Sequence, residues 1–281
     1  MKKNVKKKNN EKGHIIIYIL LFVGLLLIYS RYIEPYNLTI REYKIENKDI
    51  PSNFDGIKIV HFSDIHYGMT VDYKYLKEIV SNINNQNPDI VIFTGDFIDK
   101  NTNLSDKEVK KINKLLSKIN STLGNYVVTG NHDYKHIKDF KNIFDGNFTI
   151  LNNQEKLIYY KDSIPLSFVG LDDSLEGKID YDILNDDSEY FRFVLVHEGD
   201  VYDKISDYKF NVMLSGHSHN GQVRLPIIGK VYTPVGAKKY YDYYYKFGDK
   251  ELFISNGIGT SGVKFRNLSR PSINLYRLYS E

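Results

Sequence analysis

The first forty residues contain an apolar segment with no polar face. Residues 15–30 (IIIYILLFVGLLLIYS) would span roughly 24 Å as a helix that rises ~1.5 Å per residue, which is short but sufficient for a membrane. A cleaved signal peptide is the alternative, but cleavage needs small residues after the apolar run, and Ser30 is followed by Arg31, Tyr32 and Ile33. The pattern therefore favours an uncleaved signal anchor, and Pro35 ends its helix.

From residue 57 the pattern changes to short β-branched runs that alternate with amphipathic segments. Apolar positions 76, 79, 80 and 83 recur with helical spacing after Asp72, which is a suitable N-cap. A second helix is predicted to begin at Ser105, which can form a capping box with Glu108. Strands are predicted on either side of these helices, at residues 57–62, 90–94 and 126–129. This β-α-β-α-β order predicts parallel strands joined by helical crossovers.

Helical patterns thin out after about residue 147. Further strands are predicted at residues 148–151, 157–160, 164–169, 191–196, 211–215, 251–256 and 272–278. Because long helices are not predicted between them, we expect a second sheet that is mostly antiparallel. No change in composition marks a second domain.

The net charge of +3 separates into two parts with different meanings. Residues 1–14 contain six lysines and one acid, so this segment carries +5 and the rest of the chain carries −2. Lysines that precede an apolar span stay on the cytoplasmic side of a membrane, so the N-terminus should lie inside and the body outside. A buried core helix would not need these lysines. The slightly acidic body does not favour the binding of nucleic acid, and no nucleic-acid partner is expected.

Cysteine is absent, which excludes disulfides, thiolate metal sites and cysteine nucleophiles. Five predicted strands nevertheless end in histidine, asparagine or carboxylate residues, and the ends of strands are where open α/β sheets place their sites. These residues are Asp64 and His66, Asp96 and Asp99, Asn131 and His132, His197, and His217 and His219. Their oxygen and nitrogen atoms suit Mn²⁺, Fe or Zn²⁺, and they are too many for one ion but sufficient for two.

The same residues form five motifs whose order resembles that of the calcineurin-like metallophosphoesterases. The motifs are D-x-H at residues 64–66, GDxxD at 95–99, GNHD at 130–133, the lone His197, and GHxH at 216–219, and the resemblance covers residues 57–278. The chain is most similar to a membrane-associated bacterial branch in which GHxHxGQ is followed by an RLP segment, here residues 224–226. The resemblance implies an α/β fold, a four-layer α/β/β/α sandwich, preceded here by one transmembrane helix.

The resemblance also implies seven metal ligands in two sets that share one carboxylate. The first set is Asp64, His66 and His219, the second is Asn131, His197 and His217, and the shared carboxylate is Asp96. Two divalent ions at such a site clamp a phosphate and acidify a bridging water, whose hydroxide then attacks phosphorus.

Two further residues are expected to be catalytic. The family places His132 near the leaving oxygen as a proton donor, with Asp99 as its orienting partner, while Asp133 is expected to fix the loop. Lys100 stands where the phosphatase branch commonly has a phosphate-binding Arg. Arg266 could meet a substrate phosphate, but a solvated charge explains it equally well, so we do not count it as catalytic.

These observations predict four regions: a basic cytoplasmic tail (1–14), a transmembrane signal anchor (15–33), a tether and first strand region (34–56) and a metallophosphoesterase domain (57–281). We expect a single-pass bacterial membrane protein whose outward-facing domain hydrolyses phosphoric mono- or diesters with two divalent metal ions. Its substrate would be a phosphorylated small molecule, a nucleotide sugar or a lipid, and the N-terminal helix would bind the bilayer. The alternatives are a pyrophosphatase acting on a nucleotide-linked acyl sugar or lipid-linked diphosphate, and a non-catalytic anchored sensor.

Overall fold

Two six-stranded sheets form the body of the molecule. The structure is a computed structural model and describes residues 2–161, 164–185 and 189–280. The helices in the described residues are α1 (Lys2–Tyr32), α2 (Tyr73–Asn85), α3 (Asp106–Leu116), α4 (Asn131–Tyr134), α5 (Ile137–Phe144) and α6 (Tyr202–Ile205). The strands are β1 (Thr39–Glu46), β2 (Lys58–Phe62), β3 (Ile90–Thr94), β4 (Asn125–Val128), β5 (Thr149–Ile150), β6 (Gln154–Ile158), β7 (Leu166–Gly170), β8 (Arg192–Leu195), β9 (Val212–Ser215), β10 (Arg224–Leu225), β11 (Gly229–Lys230), β12 (Tyr244–Phe247), β13 (Lys250–Ile254) and β14 (Ser272–Tyr279).

The first sheet has the order β1-β14-β2-β3-β4-β5. The strands β2, β3 and β4 are parallel as predicted, and β5 adds a further parallel strand to this sheet. The two predicted caps form: Asp72 Oδ1 accepts from the backbone N–H of Tyr75 at 2.8 Å, and Ser105 and Glu108 form the capping box. The helices α2 and α3 cross over between parallel strands, so every one of these strands points its carboxyl end to the same edge.

The second sheet has the order β12-β13-β9-β8-β7-β6, and the prediction that it is mostly antiparallel was wrong. Its four central strands, β7, β8, β9 and β13, run parallel, and only the outer strands β6 and β12 are antiparallel to their neighbours. The crossovers between the parallel strands use short 3₁₀ turns and the four-residue helix α6. Such short helices leave no amphipathic period in the sequence, which is why the parallel connections were not predicted.

The sheets pack face to face, and alternate residues of each strand point to opposite layers. Ile59 of β2 and Phe193 of β8 belong to the core between the sheets, whereas Phe62 and Val60 of β2 pack under the helices α2, α3 and α5. The helix α6 and loops cover the outer face of the second sheet, and Met213 of β9 belongs to the apolar cluster packed between them. The layers are therefore α, β, β and a thinner α layer, which agrees with the fold implied by the resemblance.

The N-terminal helix α1 is apolar, and it projects from the body. The segment His14–Tyr36 has a mean hydropathy of 2.2 and is only 6% buried, so its length and composition are sufficient to cross a membrane. Its last residues contact the body: Ser30 Oγ donates to Asn267 Oδ1 at 3.0 Å, and the buried Glu34 accepts from the backbone N–H of Ser269 at 2.7 Å. The chain then enters β1, which pairs with β14 over eight residues.

We predict that β1 is needed for stability of the body. Tyr43 of β1 packs against Phe253 and Tyr276, with ring centroids 5.2 and 5.6 Å away, and so joins both sheets. Because Tyr43 is only half-buried, Tyr43→Ala should lower the free energy of unfolding by about 2 kcal/mol in urea denaturation of the full chain in detergent. The control, Tyr159→Ala, removes a tyrosine that is 61% exposed and should change it little. Equal effects of the two variants would contradict this role of β1.

Candidate metal centre

All seven predicted ligands lie together at the edge where the two sheets point their carboxyl ends. The first sheet contributes the residues that follow β2, β3 and β4, and the second contributes those that follow β8 and β9. Six of the seven ligand side chains are buried, and Asn131 is half-buried. The parallel direction of the central strands in both sheets explains why segments so distant in sequence converge there.

The first group consists of Asp64, His66 and His219, whose potential ligand atoms lie within 4.8 Å of one another. Nε2 of His66 is 3.1 Å from Nε2 of His219, and Asp64 Oδ1 is 3.3 Å from the same His219 atom. The other side of the Asp64 carboxylate accepts hydrogen bonds from the Ser63 hydroxyl and from the backbone N–H of His217. One carboxylate oxygen and two imidazole nitrogens therefore face a common point.

The second group contains Asp96, His197 and His217 within the same distance limit. Nε2 of His197 is 3.1 Å from Nδ1 of His217 and 3.3 Å from Asp96 Oδ2. The outer nitrogens of both rings donate to backbone carbonyls, His197 Nδ1 to Thr94 O and His217 Nε2 to Val235 O, each at 2.7 Å. These bonds fix which nitrogen of each ring faces the site.

Asp96 lies between the two groups. Its Oδ2 atom is 3.3 Å from His197 Nε2 of the second group and 3.6 Å from His66 Nε2 of the first. Its Oδ1 atom accepts from the backbone N–H of His132 at 2.8 Å. A single carboxylate oxygen thus faces imidazoles from both groups, as a ligand shared by two cations would.

The backbone at these residues adopts unfavourable conformations. Asp64, His66, Asp96, His217 and His219 all have φ between 44° and 65°, a region that residues other than glycine seldom enter. Asn220 also has a positive φ, 51°, as its tolerance of the left-handed region allows. Backbone strain of this kind persists only where the surrounding structure enforces it, and it concentrates at functional sites.

One buried carboxylate holds the GDxxD loop in this strained shape. Asp133 accepts from the backbone N–H groups of Asp96 at 2.8 Å, Phe97 at 2.8 Å, Ile98 at 3.2 Å and Gly130 at 3.0 Å. The expectation that Asp133 fixes the loop is confirmed.

The backbone of Gly216 passes close to the side chain of Asp64. A Cβ on Gly216 would lie 2.6 Å from Asp64 Oδ2, so this position requires glycine.

The buried donors have strongly shifted protonation equilibria. Burial raises the pKa of Asp64 to about 6, and it lowers the pKa of His66 to about 3 and of His217 to about 4. Burial would also lower the pKa of His197, but the charge of Asp96 outweighs it and raises that pKa well above its usual value. Most of the imidazoles are therefore neutral near pH 7, as metal ligands must be, and the charged pair is Asp96 with His197.

The second group needs a cation at its centre. A carbonyl oxygen only accepts, so His197 Nδ1 and His217 Nε2 both carry protons, and the lone pairs of neutral rings would face each other across 3.1 Å. A proton on His197 can fill this role, and so can a divalent ion that displaces it. In addition, the buried Oδ1 of Asn131 and Nδ1 of His66 have no hydrogen-bond partner among the described residues. The donor set and the unpaired Asn131 oxygen fit a metal centre.

His132 lies beside the two groups. Its ring packs edge-on against His66, with centroids 4.6 Å apart. The Nδ1 atom is 3.3 Å from the backbone N–H of Lys100 and 3.7 Å from Asp99 Oδ2, so the contact with Asp99 is longer than a hydrogen bond. In the neutral ring Nδ1 accepts from Lys100, and in the cation Nδ1–H points towards Asp99. In both states Nε2 carries a proton.

A cavity of about 580 Å³ opens over this edge. Asp96, Asn131, His132, His217 and His219 form its polar end, and Lys100 lines it too. The remainder of the wall is mostly apolar, and includes Leu175, Val223, Val231, Tyr232, Val235 and Val263. The cavity therefore combines a polar end, lined by candidate metal ligands, with room for a larger apolar group.

The sequence assigned no role to two buried ionisable residues, Arg266 and Glu198. Arg266 neither meets the cavity nor lies in solvent: it is fully buried, donates to the carbonyls of Gly257 and Ser269 among others, and lies 3.2 Å from His219 Nδ1. Burial and the neighbouring Asp173 raise the pKa of Glu198 to about 8. The glycines at residues 257, 259 and 262 are the sequence signal that could have indicated a structured loop around Arg266.

Metal removal should destabilise the protein. The buried carboxylates and facing imidazoles lose their shared counter-ion on chelation, so EDTA should lower the thermal midpoint and Mn²⁺ should restore it. At a hundredfold excess over Kd, each bound ion would add up to about 3 kcal/mol to the free energy of unfolding. The gain from metal should shrink as the pH falls through about 6, because Asp64 is then protonated. The measurement is differential scanning fluorimetry with and without metal. An unchanged midpoint would contradict a metal centre.

Comparison with known proteins identifies the family to which this chain belongs. The profile described as calcineurin-like phosphoesterase matches residues 57–221, which contain all seven candidate ligands. The uncharacterized metallophosphoesterase YkuE of Bacillus subtilis is 34% identical over 257 residues, covering 90% of this chain and 89% of that protein. Phosphodiesterase YaeI of Escherichia coli is 26% identical, with 89% and 92% covered. UDP-2,3-diacylglucosamine pyrophosphatase LpxG of Chlamydia muridarum is 27% identical, with 71% and 74% covered.

The family profile covers more than half of the chain and ends within the GHxHxGQ motif. It matches the region in which the acidic and imidazole donors converge on a possible dimetal site. The chain belongs to the calcineurin-like phosphoesterase family and is a metal-dependent phosphoesterase with a divalent metal centre.

Proposed function

We propose that the centre holds two divalent ions and hydrolyses phosphoric esters. Asp64, His66 and His219 would hold one ion, Asn131, His197 and His217 the other, and Asp96 both. The observation that carries this proposal is the position of Asp96 Oδ2, within 3.6 Å of imidazole nitrogens from both groups. Mn²⁺, Fe or Zn²⁺ suits this set of nitrogen and oxygen donors.

When bound, the two ions would supply an activated water as nucleophile and positive charge for the phosphate oxygens. The protein's part is to keep the donors correctly protonated and aimed. Burial keeps the imidazoles of His66 and His217 neutral, and the carbonyls of Thr94 and Val235 hold the rings of the second group in position. Because the chain supplies donors and shape rather than a covalent nucleophile, hydrolysis in one step is expected.

His132 is the proposed general acid. It lines the cavity next to the ligand groups, and its Nε2 carries a proton in either protonation state of the ring. Burial by itself would lower the pKa of His132, but the carboxylates of Asp99 and Asp96 outweigh it and raise the pKa. The ring can therefore give a proton near neutral pH. Asp99 acts on His132 through this charge, as a positioning and electrostatic partner.

The substrate is proposed to be a phosphomonoester or phosphodiester presented close to a membrane. Lys100 at the cavity wall can bind a substrate phosphate as a point charge, without the planar fork of an Arg. The alternative, cleavage of a nucleotide-linked acyl sugar or lipid-linked diphosphate, is favoured by the apolar part of the cavity and by the similarity to the pyrophosphatase LpxG. A non-catalytic sensor is disfavoured because no expected ligand is missing.

The helix α1 is proposed to anchor the enzyme in the cell membrane, with the N-terminus in the cytoplasm and the domain outside. The apolar, exposed segment His14–Tyr36 supports a single span, and the lysines before it support this orientation. The substrates would then be nucleotide sugars, lipids or phosphorylated small molecules at the outer face of the membrane.

Asp96→Asn should abolish hydrolysis of a generic aryl phosphate or bis-phosphate ester. The amide keeps the size of the side chain but removes the negative charge that two cations would share, so we expect a loss of 10³-fold or more. Metal content by elemental analysis should fall below two ions per chain. Asp145→Asn, at an exposed position, is the matched control and should retain both the activity and the metal content. Undiminished activity of Asp96→Asn would refute the two-metal assignment.

His132→Ala should keep the metal content and lower turnover by roughly 10²-fold, most for substrates with poor leaving groups. The reason is that a poor leaving group needs a proton from Nε2, whereas a nitrophenolate does not. The measurement is kcat across a panel of mono-, di- and pyrophosphate esters with leaving groups of graded pKa. His136→Ala, four residues away, serves as the control. Equal losses across the panel would rule out proton donation.

A further inference from the structure

The short hairpin of β10 and β11 exposes apolar side chains at its tip. Ile227 has a relative exposure of 107% and Ile228 of 73%, and Leu225 beside them is 39% exposed. Next to the hairpin lies an apolar rim, with every member between 55% and 68% exposed: Val231, Tyr232, Val235, Val263 and Leu268. Four of these, all but Leu268, line the cavity over the metal centre. A concentration of exposed apolar side chains of this kind marks an interaction site.

The backbone at the tip is strained in order to present Ile227. Its φ is 70°, and the N–H of Ile228 donates to the Pro226 carbonyl at 2.8 Å, so Ile227 is the central residue of a γ-turn with positive φ. This form of γ-turn is rare and strained, and a β-branched residue is among the least suited to positive φ. Glycine or asparagine would remove the strain. The fold therefore gains nothing from isoleucine here, which indicates a role outside the fold.

The hairpin is joined to the end of α1 through one residue. Asn267 Oδ1 accepts from Ser30 Oγ at 3.0 Å, and Asn267 Nδ2 donates to the carbonyl of Arg224, at the start of β10, at 2.6 Å. The backbone N–H of Arg224 donates in turn to Asn267 O at 2.8 Å. Ser30 ends the apolar segment of α1, so the hairpin begins where that helix would leave the membrane.

The loops around this surface are rich in basic residues. Residues 219–241 contain Arg224 and three lysines and no acid, and residues 257–271 contain the exposed Lys264 and Arg270, besides the buried Arg266, and no acid. Some are paired, as Arg224 is with Asp242 at 2.8 Å, but the segments themselves are basic and apolar. Basic side chains around an exposed apolar tip match a membrane surface with anionic headgroups.

We propose that the hairpin tip and the apolar rim form a second membrane contact, which inserts into the leaflet that α1 leaves. This proposal rests on the proposed anchoring by α1. The contact would hold the cavity mouth, whose wall the rim shares, against the lipid surface. Ile227 and Ile228 would lie among the upper acyl chains, with the neighbouring cations at the headgroups.

Because the chain contains no tryptophan, one substitution creates a single fluorescent probe of depth. Ile227→Trp and, separately, Ile228→Trp are made in the full chain, and each variant is reconstituted into vesicles of phosphatidylcholine and phosphatidylglycerol. Emission is compared with and without dibrominated phosphatidylcholine, which quenches only chromophores in contact with acyl chains. For a tip that enters the acyl boundary we expect roughly twofold quenching or more.

Two further probes separate this proposal from the anchoring on which it depends. Leu21→Trp lies within α1 and should be quenched if α1 spans the bilayer. Residue 159 comes directly after β6, at the end of the second sheet opposite the metal centre, so the tryptophan of Tyr159→Trp should remain unquenched. Quenching at residue 21 without quenching at residues 227 and 228 would overturn the second contact alone. Absence of quenching at residue 21 would overturn the anchoring and the proposal with it.

Ile227→Gly provides an independent test. Glycine tolerates the positive φ, so the thermal midpoint of this variant should equal or exceed that of the parent chain. A lower midpoint would show that isoleucine serves the fold and would overturn the proposal. Aryl phosphate hydrolysis should stay unchanged in this variant, because residue 227 does not line the cavity.

Discussion

The confinement of two carboxylates and four imidazoles at one buried edge is the constraint on which the rest of the structure depends. In the absence of a counter-ion, burial alone drives Asp64 towards its neutral form and leaves Asp96 dependent on a protonated His197. The fold nevertheless forces these groups to within 3.1–3.6 Å of one another through left-handed turns that few residues tolerate. Divalent cations bound at this edge would relieve the electrostatic repulsion, while the surrounding fold maintains the backbone strain that aims the donors.

How much of this was predictable depends on the range of each interaction. Short apolar runs located the strand ends and so the candidate residues that follow them, and the family resemblance then selected the seven ligands. The parallel order of β2, β3 and β4 was predictable because amphipathic helices connect these strands. The second sheet was mispredicted because its crossovers are made by short turns with no amphipathic period. The distance of 3.7 Å between Asp99 and His132 could not be predicted either, since it depends on how the Lys100 amide approaches the ring.

Arg266 shows the same limit more sharply. An arginine in a glycine-rich segment suggests solvent or substrate, yet its guanidinium is enclosed by backbone carbonyls that only the fold of residues 256–269 brings together. That enclosure satisfies the charge without a carboxylate partner, and it places the planar group against the outer nitrogen of His219. A ligand is thereby held by a residue 47 positions away, a separation that no local pattern can signal.

The same segment links the metal centre to α1. The backbone N–H of Arg266 donates to the carbonyl of Ser30 at 2.9 Å, while its side chain lies against His219, and Ser269 binds both Glu34 and the His219 carbonyl. Any tilt of α1 relative to the body would therefore act on the loop that holds a candidate ligand. The body's charge of −2 would not attract anionic lipids, but the loops beside α1 are rich in basic residues, and bound metals would add positive charge at the same edge. On the proposed anchoring, attraction to an anionic surface would therefore be local, and strongest where α1 and the metal centre meet.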